Sequence, residues 1–286
     1  MTYPKISIIT PVYNQEKFLE ETILSVLNQQ YQNLEYIIID GGSTDGTIDI
    51  IKKYETKLAY WVSEPDNGMY DALQKGFDHS TGEIMGWINA DDLFFPNAFY
   101  AIAKVFMEHP DVNWITSHHA AINEEGWFVH SRPSTTYCKY DFYLPTKPWH
   151  RDEIGQESTL WRRPLWERAG SRMNTSLKLA GDYELWLRFF QYDKLHVVHS
   201  LFGIFRVRKG QLSSDIERYW EEADQVTKLF PLSKEEQKII DTYMKRLRIM
   251  EFINRELKIL NGRRLSRIPV IERKYFQTPE AISLTS

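Results

Sequence analysis

The chain has 286 residues, 42% hydrophobic and 26% charged, which is enough to build a packed globular core. Its 35 basic and 39 acidic residues leave a net charge of −4, which argues against a general nucleic-acid binder. A single cysteine, Cys138, excludes an internal disulfide and fits a buried thiol in a reducing compartment.

Lys5 to Thr10 reads as a buried strand, ended by Pro11. Phe18, Ile23, Leu24 and Leu27 recur at helical spacing, so a helix follows. Glu35 to Asp40 is a second strand, and Ile48, Ile51 and Tyr54 mark the next helix. Leu58 to Ser63 and Ile84 to Asn89 are strands; Met69 to Phe77 and Ala98 to Met107 are helices. Short apolar strands alternating with helices predict an α/β fold, a mostly parallel sheet covered on both faces. Ligands of such sheets bind beyond the carboxyl ends of the strands.

The second half is less regular. Strands are expected around Val112 to Ser117 and Trp127 to His130, and a helix from Ala180 to Tyr192. Residues 132–155, rich in Pro, Tyr and Trp, read as a long loop of the kind that carries function. From about Asp215 the chain reads as helices. No charged stretch followed by an apolar run opens the chain, so no signal peptide is expected. No stretch approaches the roughly 18 apolar residues of a spanning helix. The cytoplasm is the expected location, with any membrane contact peripheral, on the inner face.

Polar groups collect where the predicted strands end: Pro11-Val12-Tyr13-Asn14, Asp40-Gly41-Gly42-Ser43, Asp66-Asn67-Gly68 and Asn89-Ala90-Asp91-Asp92. The glycines after Asp40 outnumber what a plain turn needs and form one wall of a shared cleft. Adjacent carboxylates such as Asp91 and Asp92 repel each other unless a cation lies beside them, and a hard divalent ion would serve. Helix capping or a solvated turn is the competing account. Asp40 can cap a turn or accept a hydrogen bond from a base N–H, Tyr13 can stack on a planar base or pack, and Asp66 and Asn67 before Gly68 form a turn by themselves.

Together these stretches resemble the family 2 glycosyltransferases of GT-A fold. The matching segments are SIITPVYNQEKFLEETILSVLNQ, EYIIIDGGSTDGT, EPDNGMYDALQKGF and GWINADDLFFP, joined later by GQESTLWRR and AGDYELWLRF. The likeness covers about residues 4–214. It implies a GT-A, Rossmann-like domain over 1–214, with a nucleotide-sugar half (1–110), an acceptor and catalytic half (111–214), and a helical C-terminal extension (215–286). It implies an inverting, metal-dependent transfer of sugar from a nucleotide sugar, with a UDP-sugar as the expected donor. The expected acceptor is a glycan or lipid-linked glycan, as in surface polysaccharide or lipopolysaccharide biosynthesis, with Mn²⁺ or Mg²⁺ as cofactor.

Residue by residue, the resemblance gives Pro11, Tyr13, Asn14, Asp40, Asp66 and Asn67 to the nucleotide. Asn89-Ala90-Asp91 stands in place of the family's Asp-x-Asp, so its first acid is lost; Asp91 or Asp92 is the metal ligand. Arg206 and Arg208 would meet the diphosphate. Trp149, His150, Gln156, Glu157 and Trp161 fall on the acceptor side, where aromatic faces can hold sugar rings or simply pack. Asp182 matches the general base, although Gly181 replaces the glutamate that often precedes it; a helix cap is the plainer role.

Rival classes fit less well. A dinucleotide-binding oxidoreductase needs G-x-G-x-x-G after the first strand, and no glycine is there. A non-catalytic nucleotide-sugar binder would not need both Asp91 and Asp182. A nucleotidyltransferase also uses metal-bound acids, and its release of pyrophosphate would set it apart. In the extension, twelve basic residues face six acidic ones between Lys234 and Lys274. Ile239, Tyr243, Leu247, Met250, Ile253, Leu257 and Leu260 trace one helical face. That face packs on the catalytic domain or a partner subunit, or attaches the chain to anionic lipid.

Overall fold

The computed structural model describes residues 2–134, 137–143, 154–211, 215–245, 249 and 282–284. Its first half alternates as the sequence predicts: β1 (Ile6–Val12), α1 (Leu19–Leu27), β2 (Leu34–Asp40), α2 (Thr47–Tyr54), β3 (Tyr60–Ser63), α3 (Met69–His79) and β4 (Ile84–Trp87). Then come β5 (Leu93–Phe94), α4 (Ala98–Glu108), β6 (Trp114–Thr116), β7 (His119–Asn123) and β8 (Phe128–Arg132). The rest comprises β9 (Leu160–Arg162), α5 (Arg163–Arg168), α6 (Gly181–Phe189), β10 (His196–Val197), β11 (Gly203–Val207) and α7 (Ile216–Leu229).

Seven strands form the main sheet in the order β10-β6-β9-β4-β1-β2-β3. All its pairings are parallel except those of β9, which runs antiparallel to both β4 and β6. A smaller sheet, β5-β11-β7-β8, lies beyond. The fold is thus the α/β, largely parallel sheet flanked by helices that the sequence implies. β7 and the antiparallel β9 were not foreseen, because three- to five-residue strands carry too little periodicity to register.

β2 shows why the strands are uninterrupted apolar runs. Ile37 and Ile39 join one core with residues of α3 and α6, whereas Tyr36 and Ile38 join the other, with residues of α1 and α4. Both faces are covered, so alternation disappears. Pro11 does not end β1; the strand continues through Val12. Lys5 and Ile9 accept from β4 through their carbonyls, so odd-numbered residues of β1 face that neighbour. The β4 pairing stops at Ile9, and proline's missing N–H therefore leaves no gap in the ladder.

At the centre of the first core lie four tryptophans. Trp87 and Trp114 each stack on Trp186 with ring centroids 5.7 Å apart, and Trp161 meets Trp87 and Trp186 edge-on at 5.6 and 5.8 Å. Helix α7 joins this core through Ala223 and Val226, so it packs with the part of the chain preceding residue 215. Of the extension beyond it, residues 234–245 are helical, and Ile282 pairs with Val198 alongside β10. The apolar face predicted from Ile239 to Leu260 lies mostly outside the described residues, as do Trp149 and His150. Among the described residues, no helix is long and apolar enough to cross a membrane.

Candidate active site

The carboxyl ends of β1, β2, β3 and β4 meet at one edge of the main sheet. There the glycine-rich turn after β2 is organised by Asp40. This carboxylate is buried and accepts from the N–H groups of Gly42 (3.1 Å) and Ser43 (2.9 Å). It also accepts from the hydroxyls of Ser43 and, at 2.6 Å, Ser63. Asp40 was expected to meet a nucleotide base. Fully buried and engaged at both oxygens, it instead locks the turn to β3. Gly42 lies at φ 83°, where a side chain would be strained. Gly41 serves differently: a Cβ there would lie 2.6 Å from Asp66 Oδ2. The missing side chain lets Asp66 close over the turn; Asp66 is less buried than Asp40, and its Oδ1 accepts from Gly68 N–H at 2.8 Å.

Pro11 is a buried residue of β1. Asn14 braces the wall, with φ 50°; its N–H donates to Ser43 Oγ (2.8 Å), and its Oδ1 accepts from Thr44 N–H (2.8 Å). Tyr13 stands clear of the fold with 59% of its surface exposed. The exposed Asn67 gives its N–H to Asp71 and its carbonyl to Lys178 Nζ at 2.7 Å.

After β4 the acids divide. Asp92 is buried, its Oδ1 accepting from Arg206 N–H (2.8 Å) and its Oδ2 from Asn89 Nδ2 (3.2 Å). Burial first, then the charges of Asp91 and Glu157, push its carboxyl well above the usual carboxylate range. Held inward by Arg206 and Asn89, Asp92 is the less accessible of the two carboxylates. Asp91 is more open; its Oδ2 pairs with Arg208 Nε at 2.6 Å. Among the described residues nothing bonds to Asp91 Oδ1, and the buried Asn89 Oδ1 has no partner. No cluster of three or more His, Cys, Asp or Glu suited to a metal is present among the described residues. The donor set fits a hard cation shared between one carboxylate and phosphate oxygens, not one enclosed by protein.

Arg206 is also reassigned. It is 1% exposed and held by Glu21 (2.6 Å) and the carbonyl of Asp91 (2.8 Å), over the ring of Phe18. A guanidinium tied this way supports the loop and does not meet a ligand. On the acceptor side, Gln156 Nε2 donates to the carbonyl of Trp87 (2.7 Å). Glu157 is buried, with Oε1 lacking a hydrogen bond and 3.5 Å from His119 Nδ1. Trp161 lies in the tryptophan cluster at 0% exposure and cannot touch an acceptor.

Asp182 is the second residue of α6, its Oδ1 accepting from Tyr183 N–H at 2.8 Å. Gly181 has a steric origin: a Cβ there would fall 2.6 Å from Tyr70 Cζ. Tyr70 is itself fixed, its hydroxyl donating to the carbonyl of Leu179 at 2.6 Å. Burial, then the Asp182 charge, raise the Tyr70 hydroxyl well above its usual range and keep it a donor. The expectations from sequence missed Tyr70, Lys178 and His119. Tyr70 sits inside the EPDNGMYDAL segment, the one local signal; the other two carried none.

The sequence profile described as "Glycosyl transferase family 2" matches residues 7–169. This chain belongs to that family. An uncharacterized glycosyltransferase of Rickettsia typhi is 28% identical over 74% of this chain and 66% of its own length. One from Rickettsia prowazekii is 27% identical over 82% of this chain and 74% of its own. A third, from Rickettsia conorii, is covered over only 37% of its length, so the chain spans a fraction of some of its relatives. The crystal structure of S. aureus TarS 1-349 in complex with UDP-GlcNAc superposes with a TM-score of 0.63 at 19% identity, covering 90% of this chain and 74% of that one. The mannosyltransferase PcManGT from Pyrobaculum calidifontis, in complex with GDP-Man and Mn²⁺, gives 0.62 at 20% identity, covering 82% and 66%. At these identities the likeness speaks for the fold, which is that of GT-A glycosyltransferases.

Proposed function

We propose that this chain transfers a sugar from a nucleotide sugar to an acceptor hydroxyl with inversion at the anomeric carbon. What supports the reading is the position of Tyr13, Asp66 and Asp91 just after β1, β3 and β4, at the carboxyl ends of the parallel strands, with Asp182 on α6, whose first residue packs against Tyr70 at the start of α3. Residues 1–110 serve the donor, 111–214 carry the acceptor side and base, and 215–286 form the extension.

In this reading Tyr13 stacks on the base and Asp66 accepts a hydrogen bond from a base N–H. Arg208 neutralises charge on the diphosphate through the guanidinium nitrogens that Asp91 leaves open. Asp91, with Asn89 beside it, would hold Mn²⁺ or Mg²⁺ against the phosphates, and such an ion acts as a Lewis acid toward the leaving diphosphate. Asp182 takes the proton from the acceptor hydroxyl as that oxygen attacks the anomeric carbon and the bond to the diphosphate breaks. Gln156 and Glu157 lie on the acceptor side. The likeness to proteins solved with UDP-GlcNAc and with GDP-Man supports a nucleotide-sugar donor and makes UDP- and GDP-sugars the first to try. We assign a glycan or lipid-linked glycan as acceptor, as in surface polysaccharide assembly.

The test is a donor screen with either metal, read by release of nucleoside diphosphate and by calorimetric binding. Binding and release with one donor, both lost in Asp91→Ala, are expected. Neither binding nor release with any donor in the presence of metal would refute the proposal.

A further inference from the structure

We propose that Glu222, on α7, is a positioning residue for Asp182. The inference rests on the reading of Asp182 as the base and adds a part of the chain beyond the matched family region. A helix begins with N–H groups that its own turns cannot satisfy. At α6 the capping position is Ala180, which has no side-chain acceptor, and no side-chain cap is made. A carboxylate from another helix instead holds the chain that leads into it. Glu222 Oε2 receives the N–H groups of Lys178 (3.1 Å), Leu179 (2.8 Å) and Ala180 (3.1 Å), and Oε1 lies 3.2 Å from the first. One carboxylate thus gathers three consecutive N–H groups immediately before the helix that carries Asp182.

The same segment is also held by α3. Tyr70 holds the carbonyl of Leu179, and its ring fills the space over Gly181. Lys178 extends the clamp toward the donor side by donating to the carbonyl of Asn67. Glu222 is anchored in turn, because Ala223 and Val226 beside it are buried, and Tyr219 and Trp220 meet the ring of Tyr183 edge-on. Residues 178–181 therefore have little freedom, and the direction of the Asp182 carboxylate follows from where α6 starts. Removing the carboxylate releases three N–H groups at once and lets that start drift. A base displaced by about 1 Å loses on the order of 10²-fold in rate while donor contacts on β1 to β4 stay in place.

The experiment compares Glu222→Ala, Glu222→Asp, Glu222→Gln, Asp182→Asn and the double variant Glu222→Ala/Asp182→Asn in the full chain. kcat and donor KM are measured by nucleoside diphosphate release, nucleoside diphosphate affinity by calorimetry, and folding by thermal melting. Expected is a fall in kcat of tenfold or more for Glu222→Ala, with nucleotide affinity within twofold. Glu222→Asp, one methylene short of the three N–H groups, falls in the same direction and serves where the alanine variant does not fold. Glu222→Gln keeps a carbonyl oxygen for the N–H groups and recovers most of the rate. In the Asp182→Asn background the Glu222→Ala substitution has no further effect on kcat. Unchanged kcat in both Glu222→Ala and Glu222→Asp, or an equal effect with and without Asp182, overturns the positioning role and leaves the base assignment standing. Full activity in Asp182→Asn removes the base assignment and, with it, this inference.

Discussion

Replacing Gly181 by alanine tests the packing argument at the start of α6. On helix propensity alone the change should stabilise by about 1 kcal/mol, since glycine is the costlier residue in a helix. The structure predicts the opposite sign. The new Cβ would sit 2.6–2.7 Å from three carbons of the Tyr70 ring, about 1 Å inside carbon–carbon contact distance. The ring cannot swing away, because Tyr70 is buried and its hydroxyl is bonded to Leu179. Forcing a methyl group into a filled site costs about 1–3 kcal/mol. After the propensity gain, a net loss of up to about 2 kcal/mol is expected. For a domain of this size that lowers the melting temperature by up to about 8 °C. Differential scanning calorimetry reads the shift, and a transfer assay should show a parallel fall as Asp182 moves with the helix start. Adding Tyr70→Leu should restore part of the stability lost to the methyl group. A Gly181→Ala variant that melts at or above the parent temperature with unchanged transfer would refute the account.

Trp161→Ala should destabilise by about 3–5 kcal/mol through the cavity it leaves, measured by urea unfolding, with no acceptor-specific change in KM beyond that loss. Asp40→Ala should lower stability because it strands the N–H groups of the turn, whereas Asp66→Ala, which strands only the Gly68 N–H, should lower it less and weaken nucleotide binding several-fold in calorimetry. Burial of Glu35 works against its charge, but hydrogen bonds from Lys5, Ser7 and Thr81 prevail and hold its carboxyl at about 2. Its folded value lies below its unfolded one, so its stabilisation is complete above about 4.5 and lost as pH falls toward 2. Urea titrations should therefore show parent and Glu35→Gln differing most at pH 7 and converging across that acid window.

The alternation of apolar runs and helical spacings made the parallel half of the sheet legible, because four consecutive strands each end in polar residues and return through a helix. β9 escaped notice, since three residues inserted antiparallel between β4 and β6 obey no long pattern. The site was legible as a set of chain positions but not as a set of directions. Asp40 and Asp66 both follow strands, and nothing local reveals that one turns inward to bind its own loop. Arg206 and Arg208 are two positions apart, a spacing that puts both on one face of a strand, and only the fold shows that Arg206 is buried while Arg208, past the end of β11, pairs with Asp91. The absence of a side chain at Gly181 depends on Tyr70, 111 positions earlier, so only the folded chain explains it.

The tryptophan cluster gives the molecule an optical signature. Four indoles at 5.6–5.8 Å share absorbed light, and their transitions should couple in near-ultraviolet circular dichroism. Trp186 is on α6, four residues after Asp182, while its stacking partners Trp87 and Trp114 belong to the sheet. The coupled signal is therefore sensitive to the spacing between that helix and the sheet. Without any label, the protein carries a spectroscopic ruler for the seating of the helix that bears Asp182, readable during turnover and in every variant that leaves the four rings intact.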